Sequence, residues 1–568
     1  MSSDNKRVIR KRLDTLRRRS SPVENHLIDE YAAGKISRRD FIRRGTIVGM
    51  SLPFLGIVVA ACGDDDGGTA TTAAGITTTT TAASGEPTTI RAAFIVPARA
   101  LDPVTISDEG GLATLGQTGQ YLTWSDKDLN LIPVLAESWE PNADFTEWTF
   151  KLRQGVMYND GSEVKAADVV ASVEGVLPGN AASAAQTFNI APGGTVAVDD
   201  YTVRFMLDGP NGSFPFFTSS DNYNAAILPA AWWQGYAEGN YEQTFPGTGP
   251  WVNESFEQGI GAVYAKNPNY WGNNGNQADR LEVTFYGDEA AAITAFQEGR
   301  IDVIPHISFF GGQALIDDDN AVKQSIGSAQ HRQVHLATDV EPFADARVRQ
   351  AMALMLNRQA LVDGLLGGFG SVGNDHPFWV NYPTYNPDAT AQREQDLAAA
   401  QGLLDAAGLG DGFEVTLHGL TEVEMPDLGA LMKGFAGQLN GVVLNLQFDD
   451  AGTYYDQYWL DSPIGITNYG HRGVPDVFLG APLRSDGTWN AAHFQNADYD
   501  ALNDAYVAAP DLETQRQIAG QIQQLLHDET PMIVPYFVDF ISVHQGNFAG
   551  LEVTAMGHVN LVNAVLTG

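Results

Sequence analysis

The sequence predicts an α/β protein built from more than one domain, and three observations support this prediction. Trp148, Phe150 and Leu152 alternate with polar residues, which is the two-residue period of a strand with one buried face. A turn and then valines at helical spacing follow, so a strand and a helix alternate within one unit. At 568 residues the chain is too long for a single compact core.

The best-defined unit of the chain covers residues 135–176. Its strand ends before residues 159–161, Asn-Asp-Gly, which predict a turn because these residue types tolerate positive φ angles. The four valines from Val169 to Val176 then recur on one helix face. Asp168 falls in the first turn of this helix, where the helix dipole favours an anion. The unit is therefore predicted to be strand, turn and amphipathic helix.

Similar patterns continue along the rest of the chain. Apolar runs and alternations predict strands at Ile90–Val96, Thr202–Leu207, Leu281–Tyr286, Arg300–Ile304 and Phe413–Leu417. Helical spacing predicts helices at Asp288–Gly299, Glu394–Ala407 and Leu512–His527. Strands and helices therefore alternate over most of the chain, as in α/β domains.

Charge is unevenly distributed and excludes one class of partner. The formal net charge is −36, yet residues 1–61 hold 13 basic and 6 acidic residues. The remainder holds 20 basic and 63 acidic residues. Nucleic-acid binding needs clustered Lys and Arg, so we expect no nucleic-acid partner for this acidic body.

The N-terminus is predicted to be an export signal. Ser37–Arg43 is similar to the twin-arginine motif S-R-R-x-F-L-K, with Arg38 and Arg39 as the arginine pair. The apolar run at 45–61 is short and contains Gly, Ser, Thr and Pro, which favours a signal segment over a membrane span. Cys62, the single cysteine, follows Val-Ala-Ala as in a lipobox and is expected to be acylated. An ordinary membrane anchor helix is the alternative.

Residues 62–87 begin with the acylated cysteine and are rich in Thr, Ala and Gly. Such a segment cannot bury enough apolar surface to fold, so we predict a disordered tether between lipid and body. Residues 1–61 are accordingly the twin-arginine lipoprotein signal peptide. The protein is expected outside the cytoplasmic membrane, in the periplasm or on the cell surface, and anchored by lipid.

Several separate motifs of the body resemble one protein family. They are LAESW at 135–139, WTFKLRQGV at 148–156, DGSEVKAADVVASV at 160–173, GTGPW at 247–251, NPNYW at 267–271, PFADARVRQA at 342–351 and PMIVPY at 531–536. This set resembles the extracellular solute-binding proteins of ABC importers, in their dipeptide, oligopeptide and nickel-binding family, family 5. The resemblance covers about residues 88–568.

The resemblance implies an α/β fold of the periplasmic-binding-protein kind, with two lobes, an extra β-rich subdomain and a ligand cleft between the lobes. Lobe I is expected at 88–122, 235–325 and 528–568. The β-rich subdomain of lobe I is expected at 123–234, and lobe II at 326–527.

No stretch carries a catalytic or cofactor-binding motif in its required context. Residues 368–373 fit G-x-G-x-x-G, but they follow a predicted helix rather than a strand, which argues against nucleotide binding. The His residues form no ligand-spaced cluster, and one Cys cannot build a Cys-based metal site, so neither a metal nor a cofactor is expected. We therefore expect no enzyme, with a secreted hydrolase as the minor alternative.

The loop Asn468–Phe478 is the stretch most informative about the ligand, and it resembles the family's cleft loop before P-D-x-F. In peptide-binding members, the family pattern has an acidic residue before the proline that neutralises the peptide's α-amino group. His471 stands at about that position here, and no acid lies between Asn468 and Pro475. Arg472 suits a carboxylate or phosphate instead. The alternative is that both side chains point to solvent.

Four segments are expected to line the cleft. Leu101–Val104 and Gly247–Trp251 form one wall, and His376–Trp379 and Asn468–Asp476 form the other. The candidate ligand-binding residues are Thr248, Gly249, His376, Trp379, Asn468, Tyr469, His471, Arg472 and Asp476. A purely structural turn at residues 247–251 and a core position for the aromatic residues are the alternatives.

The function implied by the resemblance is that of the substrate-binding component of an ABC importer. Two lobes close on a small solute, and the closed form delivers it to a permease. The permease and its ATPase are expected to be separate chains, and the protein itself a monomer. A peptide is one expected solute. A non-peptide anionic or sugar-like solute, a metal chelate such as one of nickel, and a role as a ligand sensor stay open.

Overall fold

The computed structural model describes residues 88–98, 101–106, 108–176, 189–236, 245–272 and 278–566. The predicted export motif with Arg38 and Arg39, the acylated Cys62 and the tether lie outside the described residues. Within those ranges, no helix is both long and apolar enough to cross a bilayer.

The first lobe is built on a seven-stranded mixed sheet. Its strands, in spatial order, are Ala321–Ile326, Phe540–Gln545, Val303–Ile307, Thr89–Ile95, Arg280–Tyr286, Gly261–Lys266 and Trp251–Glu257. Helices Glu109–Leu115, Glu289–Gln297 and Phe309–Ile316 pack against these strands. The strand Thr89–Ile95 pairs in parallel with a neighbour on each side. The carboxyl ends of three parallel strands therefore meet at one edge, where α/β sheets bind ligands.

The β-rich subdomain carries a four-stranded antiparallel sheet. In spatial order its strands are Ala136–Pro141, Glu147–Leu152, Thr202–Leu207 and Ile190–Asp199. Its other elements are the paired strands Thr123–Ser125 and Leu131–Pro133 and the helices Ala166–Val176, Phe214–Phe217 and Ala230–Gly235. The alternating strand is confirmed, because Trp148, Phe150 and Leu152 are all buried. The predicted helix is confirmed as well, with all but Val170 of its valines buried.

The second lobe is built on another seven-stranded sheet. Its strands, in spatial order, are Gly370–Val372, Tyr536–Val538, His331–Leu336, Ile464–Tyr469, Glu414–Leu420 and Val443–Asp449, with Met532–Ile533 also paired to His331–Leu336. Its helices are Ala346–Leu354, Arg358–Leu366, Leu397–Ala406, Met425–Ala436, Ala451–Gln457, Asp476–Gly480, Ala497–Val507 and Leu512–Glu529. The G-x-G-x-x-G segment thus follows a helix and forms a strand, the reverse of the order in a dinucleotide fold.

The chain passes between the two seven-stranded sheets twice, first between Ile326 and His331 and again between Val538 and Phe540. The returning segment was expected to begin at residue 528, but two short strands beyond that point still pair in the second sheet. Their apolar residues fit a buried strand of either sheet, so the pattern alone does not show where the chain crosses. The C-terminal segment ends in two strand pairs, Phe548–Ala549 with Val565–Leu566 and Glu552–Val553 with Val559–Asn560.

Each part of the molecule has its own core. Phe150 lies in the core of the β-rich subdomain, Leu281 in that of the first lobe and Met352 in that of the second lobe. A further cluster around Tyr506 packs the last helices onto the second sheet. Most of each core comes from one part, which favours motion of the parts as bodies, while Val474 and Val477 of the second lobe pack on the core of the β-rich subdomain.

Candidate functional site

The two segments that cross between the lobes are bonded to each other. Ser328 Oγ donates to the carbonyl oxygen of Val538 at 2.7 Å, and the backbone N–H of Val538 donates to the carbonyl of Gln330 at 2.8 Å. The Gln330 N–H donates in turn to Ser328 Oγ at 2.9 Å. Two crossing segments held side by side form one short connection, about which the lobes can rotate.

A cavity of about 490 Å³ lies between the β-rich subdomain and the second lobe, and we call it the subdomain cavity. Its lining includes Asn211, Phe217, Arg472, Asp476, Trp489 and Asn503. Beside it, the N–H of Gly212 donates to the carbonyl of Val507 at 3.1 Å, which joins the same two parts. A solute in this cavity would therefore contact both parts at once.

Asp476 is a buried acidic residue in the wall of this cavity. Its side chain is buried, at 9% exposure, and neither carboxylate oxygen makes a hydrogen bond to any described residue. Burial raises its pKa to about 6, because a carboxylate is poorly solvated there. Nearby, Asn503 Nδ2 is also buried without an acceptor in the described part of the chain.

Arg472 reaches from the second lobe toward the β-rich subdomain. Its guanidinium carbon lies 5.7 Å from the centre of the Tyr223 ring, and Nη1 donates to the carbonyl oxygen of His471 at 2.7 Å. Burial raises the pKa of neighbouring Asp221 to about 7, while the positive charge of Arg472 acts in the opposite direction. This arginine therefore already faces an aromatic ring and an acid of the other part of the molecule.

Two smaller cavities, of about 280 and 210 Å³, lie nearer the crossing segments. Both are lined by His306, Ser308 and Val423, and the larger also by Ile95 and Tyr286, where two parallel strands end. Val423 belongs to the second lobe, is 57% exposed and has a φ of 45°. A β-branched residue at positive φ is uncommon, and such strain concentrates at functional sites.

His306 and Glu109 form an ion pair in the wall of the larger of these cavities, with Nδ1 and Oε2 2.7 Å apart. Burial disfavours the imidazolium, but Glu109 outweighs burial, and the net pKa of His306 is raised. A pair of this kind can donate to, or accept from, a polar group of a solute. Across the described ranges, no three His, Cys, Asp or Glu side chains are clustered to hold a metal ion.

A buried polar network forms part of the wall of the smaller of these cavities, which Arg332 and Glu424 line. Arg332 Nε is 2.8 Å from Glu424 Oε1, and Arg332 Nη1 donates to Asn468 Oδ1 at 2.6 Å. Tyr536 donates to Glu424 at 3.0 Å. Both charges of this network are matched within the chain, so it fixes the strand and loop that carry it rather than awaiting a solute.

Of the nine predicted site residues, Arg472 and Asp476 line the subdomain cavity, and the other seven line none of the cavities described above. His471 accepts from the backbone N–H of Ala329 at 3.0 Å, and burial lowers its pKa to about 3. A neutral ring in this position fixes a crossing segment. Tyr469 stacks on His331 with ring centres 5.4 Å apart.

The remaining predicted residues lie within the lobes. Trp379 packs edge-on to His471 and against Gly327. His376 is buried beside Gln523, at 3.4 Å, and burial lowers its pKa to about 4. Asn468 belongs to the Arg332 network. Thr248 is fully buried, and Gly249 packs on the backbone of Thr118, its N–H donating at 2.8 Å to that carbonyl.

Sequence reasoning missed several residues of these cavities. Asp221 and Tyr223 face Arg472 from the other part of the molecule, and Val423 forms a wall shared by two cavities. Asn503 lies on the helix Ala497–Val507, within a pattern typical of a solvated helix. None of these residues belongs to a recognisable sequence motif, and only the folded chain brings them to the cavities.

Comparisons with known proteins agree with this architecture. Residues 130–490 match the family model described as bacterial extracellular solute-binding proteins, family 5 Middle. A glutathione-binding protein, GsiB of Pectobacterium atrosepticum, is 28% identical over 56% of this chain and 61% of its own length. The probable D,D-dipeptide-binding periplasmic protein DdpA of Escherichia coli is 29% identical over 77% of this chain and 86% of its own.

A solved structure shares the fold. The ABC transporter substrate-binding protein CtaP of Listeria monocytogenes superposes with a TM-score of 0.75 at 19% identity, covering 85% of this chain and all of its own. The two-lobed α/β fold expected from the sequence is thereby confirmed. The family model, which covers more than half of the chain, gives the same assignment. The chain belongs to the bacterial extracellular solute-binding proteins of family 5.

Proposed function

We propose that this protein is the substrate-binding component of an ABC importer. It captures a small solute outside the cytoplasmic membrane and passes it to a permease whose ATPase is a separate chain. The observation that supports this proposal is a cavity walled by two separately packed parts of the molecule. A solute that contacts both walls only when they are together stabilises the closed form, which is how a binding protein signals that it is loaded.

The proposed work is binding without bond chemistry. Arg472 and Asp476 are the two predicted residues that we keep as solute contacts, because both line the subdomain cavity. The names of the relatives report glutathione and a D,D-dipeptide as their ligands. A small peptide-like solute is accordingly one candidate, and a non-peptide solute of similar size is the other. Turnover of a bound solute would contradict a pure binding role.

The proposed location is the periplasm or the cell surface, with the protein exported by the twin-arginine route and anchored to the membrane by lipid on Cys62. Cys62→Ser is expected to move the protein from the membrane to the soluble extracytoplasmic fraction. Replacing Arg38 and Arg39 together by lysine is expected to leave it in the cytoplasm. Unchanged fractionation of these variants would contradict the export and anchoring proposal, without affecting the binding proposal.

The test of the binding proposal is native mass spectrometry of the full chain, purified from its host without denaturation. We expect an added mass of a small solute, retained from the cell or captured from a host small-molecule extract. A solute well above its Kd should also raise the unfolding temperature. A chain that retains and captures nothing, in a host whose uptake is unchanged by deletion of the gene, would contradict the proposal.

A further inference from the structure

The subdomain cavity contains charged groups of both signs, and their partners differ. Arg484 pairs with Asp486 at 2.9 Å and also with Asp504, so its charge is met within the second lobe. Arg472 is held over the Tyr223 ring beside Asp221. Arg484 is therefore paired with acids of its own lobe, and Arg472 has a backbone carbonyl and an aromatic ring as partners.

Two acidic residues line the cavity; Asp486 is paired with Arg484, whereas Asp476 has no basic partner among the described residues. Asp476 is buried, and its two oxygens make no hydrogen bond with the residues that the structure describes. The hydroxyl of Ser213 and the backbone N–H of Asp476 itself lower the pKa of Asp476, but burial outweighs both. A buried carboxylate without partners is costly, because water that would solvate it has been excluded.

A second polar group points to the same conclusion. Asn503 is 4% exposed, and its Nδ2 has no acceptor in the described chain, while its Oδ1 lies 3.5 Å from Arg484 Nη1. The cavity thus combines a free acceptor of full negative charge with a free amide donor. Trp489 and Phe217 supply aromatic surface to the same cavity, and aromatic faces also favour cations.

We propose that the subdomain cavity takes a solute carrying an organic cation, a protonated amine or a guanidinium, whose N–H groups donate to Asp476. Asn503 Nδ2 donates to an oxygen of the same solute. This inference rests on the proposed binding function and names the chemical class of its ligand. It differs from the anionic solute that Arg472 alone suggested, because the structure gives Arg472 partners and leaves Asp476 without one.

The proposal predicts that Asp476→Asn stabilises the empty protein and weakens solute capture. Asp476→Asn keeps the shape of the side chain but removes the charge. In the empty protein it should raise the unfolding temperature, because an uncompensated buried anion is lost. It should also weaken capture of a cationic solute at least tenfold. If Asp476 instead had a structural partner in the chain, Asp476→Asn would lower the unfolding temperature of the empty protein.

The probe is a host small-molecule extract separated on a strong cation exchanger at pH 3. At that pH carboxylates are largely neutral, so compounds with an amine or guanidinium are retained and compounds without one flow through. Each fraction is returned to pH 7.5 and offered to the full chain, and captured masses are measured by native mass spectrometry. We expect capture from the retained fraction only, and at least tenfold less capture by Asp476→Asn.

Asp498→Asn is the matched control, since it makes the same change at an exposed position on the helix that carries Asn503. It should leave capture unchanged and should not raise the unfolding temperature, because it removes a favourable charge from the first turn of a helix. Capture from the flow-through fraction, or equal capture by Asp476→Asn and the wild type, would overturn the cation proposal while solute binding stands. Capture from neither fraction would overturn both proposals.

Discussion

Asp375 is fully buried and lies between two guanidinium groups, at 2.8 Å from Arg358 and 2.6 Å from Arg393. Burial alone would raise the pKa of Asp375, but the two arginines outweigh burial and hold that pKa below its usual range. At the residue scale, this site is the counterpart of Asp476. The chain itself supplies basic partners for Asp375, whereas Asp476 has no basic partner among the described residues.

Asp375→Asn is expected to lower the free energy of unfolding by about 3–5 kcal/mol at pH 7, because it leaves two buried guanidinium groups without an anion. A carboxyl with a depressed pKa stabilises the fold above its unfolded pKa, and this contribution is lost as the pH falls through the folded pKa. The difference in free energy of unfolding between Asp375→Asn and the wild type should therefore become smaller at acidic pH. Urea unfolding at several pH values measures it, and exposed Asp363→Asn should stay within about 0.5 kcal/mol of wild type. Equal midpoints for Asp375→Asn and the wild type would contradict the argument.

Asp476→Asn should show the opposite pH dependence in the solute-free protein. The pKa of Asp476 is raised to about 6, so the folded state holds its proton more tightly than the unfolded state. The penalty for the wild-type carboxylate is absent below its unfolded pKa and complete only above the folded pKa. The variant should therefore match the wild type near pH 4 and exceed it at pH 8, by at most about 3 kcal/mol. A difference that is constant with pH would show that the carboxyl is not the cause.

At the element scale, the helices and strands that are set by neighbouring residues in the sequence could be predicted. Asp288 and Asp396 each cap a helix by accepting a backbone N–H, and both precede apolar residues at helical spacing. The strand His331–Leu336 could not be predicted in this way, since all its side chains are buried although four of the six are polar. Arg332 is tolerated there only because Glu424 and Asn468, far along the chain, are its partners. The cavities depend on such distant pairs, so the sequence identified the loop carrying Arg472 and Asp476 but not the residues opposite it.

The loop that carries Arg472 meets the β-rich subdomain through a glycine. A Cβ on Gly473 would lie 1.8 Å from Asp221 Oδ2 and 3.2 Å from Phe216 Cδ1. A Cβ on Gly470, in the same loop, would lie 3.6 Å from Arg472 Nη1, an ordinary contact. The missing side chain of Gly473 therefore permits the close approach of the two parts.

Gly473→Ala is expected to weaken solute capture about tenfold, or about 1.4 kcal/mol, because the added methyl group opposes closure. Gly470→Ala should bind like the wild type, and both variants should unfold at nearly the wild-type temperature when empty. Isothermal titration with the solute recovered from the native protein compares them. Equal affinities of the two variants would mean that Asp221 moves aside at no cost and that this contact does not control closure.

At the scale of the whole molecule, two adjacent crossing segments join the two seven-stranded sheets within the described residues, and other segments line the subdomain cavity. The crossing segments are bonded through Ser328, which keeps them together during rotation. A small rotation at this connection would open the contact between Gly212 and Val507 beside the cavity. Closure by rotation is thus a property of the architecture, and it can be measured as a distance.

Spin labels can measure it directly, since the chain has a single cysteine, outside the described body. In a Cys62→Ser background, Asp208→Cys and Leu512→Cys place one exposed label on the β-rich subdomain and one on the second lobe. Adding the host small-molecule extract should shift the distance distribution toward shorter values, because a solute that contacts both walls favours the closed form. A control pair within the second lobe, Leu431→Cys with Leu512→Cys, should keep its distance. An unchanged distance between the labels at positions 208 and 512 in protein that has captured solute would show that the lobes do not close as bodies around this cavity. A changed distance in the control pair would show the same.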